Sequence, residues 1–230
     1  MCDYDQLVKA NAILFPRPVL NNCLGSWLSQ HGYRQLRAAE TEKIAHVTFF
    51  LDGGRDYFAN GLAKPADIKL AGAASLLVPS PKVATYDLQP TMSCEILTDE
   101  VIRRLYQKRY DLIVLNFANP DMVGHTGVLA ATITANQVLD RCLKRLQRAV
   151  ETNHGLMIVT ADHGNAEEMI NLSTKEVNKK HTTNLVPIFV LDRQYRLHSE
   201  AKIADLAPTI LFILGVPAPP EMTCRNLIRF

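Results

Sequence analysis

Three short stretches of the sequence carry side chains that often bind metal ions. The first contains Asp121 and His125, the second Asp162 and His163, and the third His181. Carboxylates neutralise the charge of a divalent ion, neutral imidazoles are directional donors, and no cysteine accompanies them. This set suits one or two ions such as manganese, zinc or cobalt. It predicts metal-assisted chemistry at an oxygen centre, with phosphate as the expected group.

Predicted strands would bring these stretches together. Residues 111–118 and 156–160 are apolar runs typical of buried parallel strands, and the first two stretches follow them directly. Ligands of open α/β sheets bind beyond the carboxyl ends of the strands, so both stretches should lie at one sheet edge. His181 stands between a polar loop at 171–180 and a predicted strand at 186–191. From this position it can reach back over the sheet edge as a further metal ligand, in the manner of a lid.

Simpler roles exist for several of these residues. Asp121 and Asp162 would also serve as helix N-caps, and His163 as a hydrogen-bonded loop histidine. Asn165 and Thr183 could orient the metal ligands without binding the metal themselves, although a plain turn or cap role is the simpler interpretation.

Other basic residues are weaker candidates. Lys82 follows Pro81 in a proline-ordered turn that suits a lysine facing a phosphate, and an exposed surface lysine is the alternative. Arg34 and Arg37 are expected near a helix end as charge–dipole partners. The remaining histidines are assigned to structure or surface: His31, His46, His154 and His198.

The predicted fold class is α/β, with a largely parallel sheet flanked by helices. Strands alternate with helices along the chain, as in βα units. Further strands are expected at 44–51 and 76–78. Helices are expected at 19–31, 95–108, 128–150 and 203–214.

Composition narrows the partners and the location. The 230 residues are 47% hydrophobic with a net charge of +2, and no basic stripe points to nucleic acid or a membrane surface. Apolar runs are too short for a membrane helix. The five scattered cysteines indicate reduced thiols, and the N-terminus has no signal-peptide pattern, so a cytoplasmic location is expected.

Longer strings resemble the cofactor-independent (2,3-bisphosphoglycerate-independent) phosphoglycerate mutases of the alkaline phosphatase superfamily. They are HVTFFLDGG, SPKVATYDLQPTMS, NPDMVGHTG, TADHGNAEEM and HTTNLVP. The resemblance runs from about residue 4 to the C-terminus. It implies interconversion of 2- and 3-phosphoglycerate in glycolysis and gluconeogenesis. It also implies a remnant of an inserted transferase domain at 1–30 and the C-terminal part of a metal-binding, alkaline-phosphatase-like domain at 31–230.

The resemblance divides the ligands between two ions. It implies that Asp121, His125 and His181 hold one manganese, with zinc, cobalt or magnesium as alternatives. Asp162 and His163 would belong to a second site, and the family's phosphate-contacting lysine would be Lys82.

The family also uses an aspartate from its first strand and a serine nucleophile, and this sequence has neither in the matching context. No catalytic residue is therefore assigned, since without the serine there is no covalent phosphoenzyme. The second metal site is expected to be incomplete. The sheet is expected to lack the N-terminal strand segment and to have an unfilled position with apolar edges.

Four hypotheses follow. The chain is an inactive fragment, or it is completed by a partner chain that carries the missing N-terminal half and then acts on phosphoglycerate. Alternatively it is a non-catalytic metal-binding or oligomerisation module, or a weak metal-dependent phosphomonoester hydrolase.

Overall fold

A three-stranded parallel sheet organises the molecule. The computed structural model describes residues 20–55, 57–58, 70–171, 173–192 and 194–229. Strand β1 (Gln35–Glu40) lies in the middle and pairs in parallel with β2 (Ala73–Val78) and with β3 (Leu112–Asn116). The strands predicted at 76–78 and 111–118 are therefore confirmed. The expectations for residues 1–19 lie outside the described residues.

The remaining strands of the described residues form two smaller sheets. β4 (Ile158–Thr160) pairs with β5 (Ile188–Val190), and β6 (Arg196–Leu197) pairs with β7 (Ile228–Arg229). Both pairs are antiparallel. The strands predicted at 156–160 and 186–191 are confirmed, with β5 as an antiparallel exception beside the parallel sheet.

The helices agree with the predicted positions, apart from two short ones. They are α1 (Leu24–Gln30), α2 (Ile44–Val47), α3 (Cys94–Leu105), α4 (Asn119–Gly124), α5 (Leu129–Thr152) and α6 (Leu206–Ile213). The short helices α2 and α4 had not been predicted. No helix among these described elements is long and apolar enough to cross a bilayer.

Helices cover both faces of the sheet. On one face, Leu36 of β1 shares a buried cluster with Leu97 of α3 and Leu146 of α5. On the other, α1 and α6 pack together through Leu28 and Leu211. Leu112 of β3 packs against this second cluster, whereas Ile113 packs against the first, as expected from side chains that alternate along a strand.

The strand predicted at 44–51 is wrong. These residues form α2 followed by turns, and the strand lies instead at Gln35–Glu40. A short apolar run fits a buried strand and a buried helix segment equally well by its pattern. The true strand was not predicted because it contains three polar residues, which usually indicate an exposed segment. In the structure Gln35, Arg37 and Glu40 are all fully buried.

The expectation that Arg34 and Arg37 are charge–dipole partners of a helix is also wrong. Arg37 lies inside β1, and its Nη2 atom is 3.8 Å from Oδ1 of the buried Asp52. Arg34 forms a salt bridge of 2.8 Å from Nη2 to Oδ1 of Asp111. Both arginines therefore pair with carboxylates rather than with a helix dipole.

Candidate metal centre

The predicted ligands come from three separate segments. α4 begins just after β3 and carries Asp121 in its first turn, with His125 as its C-cap. A spacing of four residues places these two side chains on one helix face. Asp162 and His163 follow β4, as predicted. An isolated bridge between Gly164 and Thr182 holds the segment of His181 beside that turn.

Three ligand atoms meet at contact distance. Oδ1 of Asp121 lies 3.1 Å from Nε2 of His125 and 3.1 Å from Nε2 of His181. The two Nε2 atoms are 3.0 Å apart. One carboxylate oxygen and two ring nitrogens therefore form a compact triangle of possible metal donors.

The tautomer of His125 favours a cation in this triangle. Its Nδ1 atom lies 2.7 Å from the backbone carbonyl oxygen of Lys179. A carbonyl only accepts hydrogen bonds, so Nδ1 carries the hydrogen, and Nε2 of the neutral ring has a free lone pair. That lone pair lies 3.1 Å from Oδ1 of Asp121, an arrangement that suits a cation bound between the two atoms. The donor set thus fits a divalent metal.

His163 and Asp162 adjoin the triangle. Ligand atoms of Asp121, His163 and His181 all lie within 4.8 Å of one another. The ring of His163 stacks on that of His181, with centroids 3.6 Å apart. Nε2 of His163 is 3.5 Å from Oδ2 of Asp162. The structure therefore brings the five predicted metal-site residues together.

Lys43 holds the central carboxylate, and the sequence analysis did not identify it. Its Nζ atom lies 2.6 Å from Oδ2 of Asp121, and the lysine is 7% exposed. Burial acts to raise the pKa of Asp121, but the hydrogen bond and charge of Lys43, with the nearby histidines, outweigh burial and lower that pKa. Asp121 is thereby kept ionised, as a metal ligand must be.

Asn165 supports the same carboxylate. Its Nδ2 atom donates to Oδ1 of Asp121 at 3.0 Å. Gly124 of α4 makes room for this side chain, since a Cβ atom there would collide with Oδ1 of Asn165. Of the two roles considered for Asn165, the orientation of a metal ligand is supported by this direct contact with Asp121.

Glu167 is a second residue that sequence reasoning missed. Its carboxylate accepts hydrogen bonds from the backbone N–H of Asn165 at 2.6 Å, from Nδ2 of Asn184 at 3.1 Å, and from the Thr182 hydroxyl. It thereby ties the turn after β4 to the segment of His181. Burial would raise the pKa of Glu167, but these hydrogen bonds lower it.

Lys82 follows a different strand from the residues of this cluster. It is exposed beyond the carboxyl end of β2, and β1 separates β2 from β3. Within the part of the chain that the structure describes, no ion pair joins Lys82 to the five predicted ligands. Its predicted contact with phosphate stays a prediction, and the lysine that touches the cluster is Lys43.

Known proteins resemble this chain over most of its length. A family model described as Metalloenzyme superfamily matches residues 8–218. A Mesoplasma florum protein named 2,3-bisphosphoglycerate-independent phosphoglycerate mutase is 53% identical over 227 residues, which cover 98% of this chain and 42% of that protein. A Coxiella burnetii protein of the same name is 50% identical, over 94% of this chain and 40% of its own length.

A solved structure also resembles this chain. The Leishmania mexicana phosphoglycerate mutase, crystallised at low cobalt concentration, superposes with a TM-score of 0.82 and 31% identity, over 95% of this chain and 41% of that one. The chain thus spans about two fifths of the length of these relatives.

Proposed function

The chain belongs to the metalloenzyme superfamily and matches the C-terminal portion of the independent phosphoglycerate mutases, and from this premise we propose that it supplies the metal-binding part of such a mutase. Asp121, His125 and His181 hold one divalent ion. The observation that carries the proposal is the triangle of one carboxylate oxygen and two imidazole nitrogens about 3 Å apart.

Manganese is the proposed ion, with zinc, cobalt or magnesium as alternatives. Mixed imidazole and carboxylate donors suit manganese, cobalt and zinc, whereas magnesium prefers oxygen ligands. Cobalt appears in the description of the Leishmania mexicana structure. A bound divalent ion would supply charge that stabilises phosphate oxygens during transfer. Asp162 and His163 offer two ligands for a second ion.

The proposed substrate is phosphoglycerate, interconverted between its 2- and 3-phospho forms. The names of the relatives support this choice. Among the residues of this chain, Lys43 places a cation 2.6 Å from the central carboxylate, and Lys82 is the exposed candidate for the phosphate. Both assignments belong to the proposal.

We assign the complete reaction to this chain together with the portion of the relatives that it does not match. The match covers 42% of the Mesoplasma florum relative, and no serine of the 230 residues stands in the family's nucleophile context. A covalent phosphoenzyme needs that nucleophile. A partner chain that carries this unmatched portion would supply the nucleophile.

The division into 1–30 and 31–230 is part of the same proposal. Leu24 and Leu28 of α1 are buried against Leu211 and Val216. The C-terminal end of the proposed remnant therefore packs directly on the metal-binding domain.

Metal binding is tested by titrating manganese into the chain by calorimetry. We expect one tight ion, and a loss of affinity of at least about 100-fold in Asp121→Ala and in His181→Ala, since even indirect supports of a metal are worth about 10–100-fold. His198→Ala, an exposed histidine outside the cluster, is the matched control. Equal manganese affinity in all four proteins would refute the assignment.

Activity is tested separately with 3-phosphoglycerate and manganese. We expect no conversion by the chain alone and conversion after addition of the unmatched portion of the Mesoplasma florum relative. Robust turnover by these 230 residues alone would contradict the need for the unmatched portion. No turnover by the mixture, with both proteins folded, would contradict the proposed mutase function.

A further inference from the structure

A short hairpin leads into the third ligand segment of the candidate metal centre. It comprises residues 169–171 and 173–178. We propose that this hairpin docks on Gly127 and thereby positions His125 and His181 for the metal ion. Gly127 is then a positioning residue, which acts through the two ligands and binds no metal itself. The inference rests on the proposed metal site and adds how the chain holds two of its ligands in place.

Backbone pairing closes the hairpin at its base. The N–H of Asn178 donates to the carbonyl oxygen of Met169 at 2.9 Å, and an isolated antiparallel bridge joins Ile170 to Val177. Met169 is 3% exposed, whereas most of the other described residues of the hairpin are exposed. The hairpin is therefore anchored at one end and ordered by its own hydrogen bonds.

Gly127 receives the hairpin two residues beyond His125. Its φ is +78°, a left-handed conformation that favours glycine. A Cβ atom at this position would lie 2.6 Å from Cγ1 of Val177 and 2.8 Å from Cε of Lys179. Carbon atoms in ordinary contact are about 3.5–4.0 Å apart, so the missing side chain of Gly127 leaves the room that Val177 occupies. Both the conformation and the space require glycine here.

The same region of contact places a hydrogen-bond acceptor beside His125. Two residues after Val177, the carbonyl oxygen of Lys179 lies 2.7 Å from Nδ1 of His125. The contact at Gly127 and this hydrogen bond are only two residues apart along each segment. A shift of Val177 therefore also moves the carbonyl of Lys179, and that carbonyl selects the Nδ1–H tautomer of His125.

His181 depends on the same hairpin. It follows Lys179 by two residues, and its Nε2 atom lies 3.0 Å from Nε2 of His125. One docking contact therefore sets the spacing between two imidazole donors. Val177 itself is 55% exposed, so the contact buries little apolar surface and contributes little to the stability of the fold. Its effect is expected at the ligands rather than in the free energy of unfolding.

Two glycine variants separate the position of the hairpin from backbone strain. Gly127 and Gly215 both have positive φ, +78° and +70°, but a Cβ atom at Gly215 would meet no atom of the described residues within 4 Å. Alanine at either position has a similar backbone cost, and only Gly127→Ala displaces Val177. We expect calorimetric titration to show manganese affinity about 10–100-fold lower in Gly127→Ala and changed less than about threefold in Gly215→Ala. Equal manganese affinity in the two variants would overturn the proposal.

A second substitution tests whether Cγ1 of Val177 is the displaced atom. Val177→Ala removes that atom, so the space that an added Cβ at Gly127 needs becomes available. The double variant Gly127→Ala/Val177→Ala should bind manganese within about threefold of Val177→Ala alone, because the two changes are coupled through one contact. A loss in the double variant as large as that in Gly127→Ala would assign the effect to backbone strain and contradict the docking.

The tautomer of His125 gives a readout in the absence of metal. In EDTA at about pH 8.5, where an ordinary imidazole is neutral, NMR of nitrogen-labelled histidines shows which ring nitrogen carries the hydrogen. We expect Nδ1–H in the unmodified chain and in Gly215→Ala. Gly127→Ala should populate Nε2–H, because Asp121, 3.1 Å from Nε2, can accept that hydrogen bond once the carbonyl of Lys179 is displaced.

The tautomer and the metal affinity can fail separately. The same tautomer of His125 in all three proteins would refute the positioning role of Gly127, whatever the manganese affinities. If the unmodified chain bound no manganese, the proposed metal site would fail, while the tautomer would still decide whether the hairpin positions His125.

A variant on the hairpin itself guards against misfolding. If circular dichroism shows that Gly127→Ala does not fold, Val177→Gly removes the contact from its exposed side. It should lower manganese affinity at least about tenfold and populate the Nε2–H tautomer of His125. Ser173→Gly, at another exposed position of the hairpin, is the control and should change neither. Unchanged affinity and tautomer in a folded Val177→Gly protein would overturn the proposal.

Discussion

Asp121 is the residue on which the candidate metal centre depends, and its charge is maintained by Lys43. The lysine contacts Oδ2, while the two histidines face Oδ1. One carboxylate therefore divides its oxygens between an internal cation and the proposed metal ion. This arrangement lowers the pKa of Asp121 against the opposing effect of burial.

Lys43→Met should make metal binding more sensitive to acid. Burial without the lysine raises the pKa of Asp121, so protons compete with the ion at higher pH. We expect manganese affinity to fall more steeply between pH 8 and pH 5 than in the unmodified chain. Calorimetric titrations across this range measure the slope. Lys144→Met, at an exposed lysine of α5, is the control, and equal slopes in all three proteins would contradict the role of Lys43.

The positions of Asp121, His125, Asp162 and His163 as candidate ligands were predictable from sequence because these residues follow strongly apolar strands. Lys43 was not predicted, because residues 44–51 were interpreted as a strand. That interpretation concealed that Lys43 lies just after the end of a different strand. Once β1 is placed at Gln35–Glu40, Lys43 falls just beyond the same carboxyl edge as Asp121. Glu167 lacked any spacing signal, because its role depends on a contact with Thr182 across the loop.

At the scale of elements, β1 shows why a strand can escape sequence analysis. Three of its six residues are polar, yet all six are buried. The polar side chains are accommodated by partners far along the chain, as Arg37 is by Asp52 and Glu40 by Ser93. Such partners are tertiary, and no local pattern predicts them.

Glu40 connects three elements and makes stability depend on pH. It ends β1 and accepts hydrogen bonds from the Ser80 hydroxyl beyond β2 and from the backbone N–H of Ser93 at the start of α3. Burial raises its pKa to about 7, although both hydrogen bonds act in the opposite direction. Its contribution to stability is therefore fully present below the ordinary carboxyl pKa and is lost as pH rises toward 7.

Glu40→Gln should remove this pH dependence. Between pH 4.5 and 7.5 the free energy of unfolding of the unmodified chain should fall by about 2–3 kcal/mol relative to the variant, given about 1.4 kcal/mol per pKa unit. Urea denaturation at several pH values measures the difference. Burial raises the pKa of Asp52 to about 6, although the charge of Arg37 acts to lower it. Asp52 is present in both proteins, so its contribution to the pH dependence cancels in the difference. Glu95→Gln, at an exposed acid of α3, should leave the pH dependence unchanged, and a parallel pH profile for Glu40→Gln would refute the assignment.

At the scale of the whole molecule, the sequence predicted the α/β architecture and the open position in the sheet. The prediction of an unfilled position rested on family resemblance, and the structure shows a cavity lined by residues of both β3 and β4. The same two strands carry Asp121 and His163 at their carboxyl ends. Metal binding and the packing of the sheet are therefore physically connected, because both depend on the spacing of these strands.

Metal ions should accordingly stabilise the fold. The ligands come from α4, from the turn after β4 and from the segment of His181, so the site exists only in the native state and binding adds to stability. At a manganese concentration 100 times the dissociation constant, about 2.7 kcal/mol is gained, equivalent to a Tm increase of about 5–10 °C for a chain of this size. Differential scanning calorimetry measures the shift, and EDTA should reverse it. Asp121→Ala should show no shift while His198→Ala shifts like the unmodified chain, whereas an equal shift in Asp121→Ala would place the stabilising ion elsewhere.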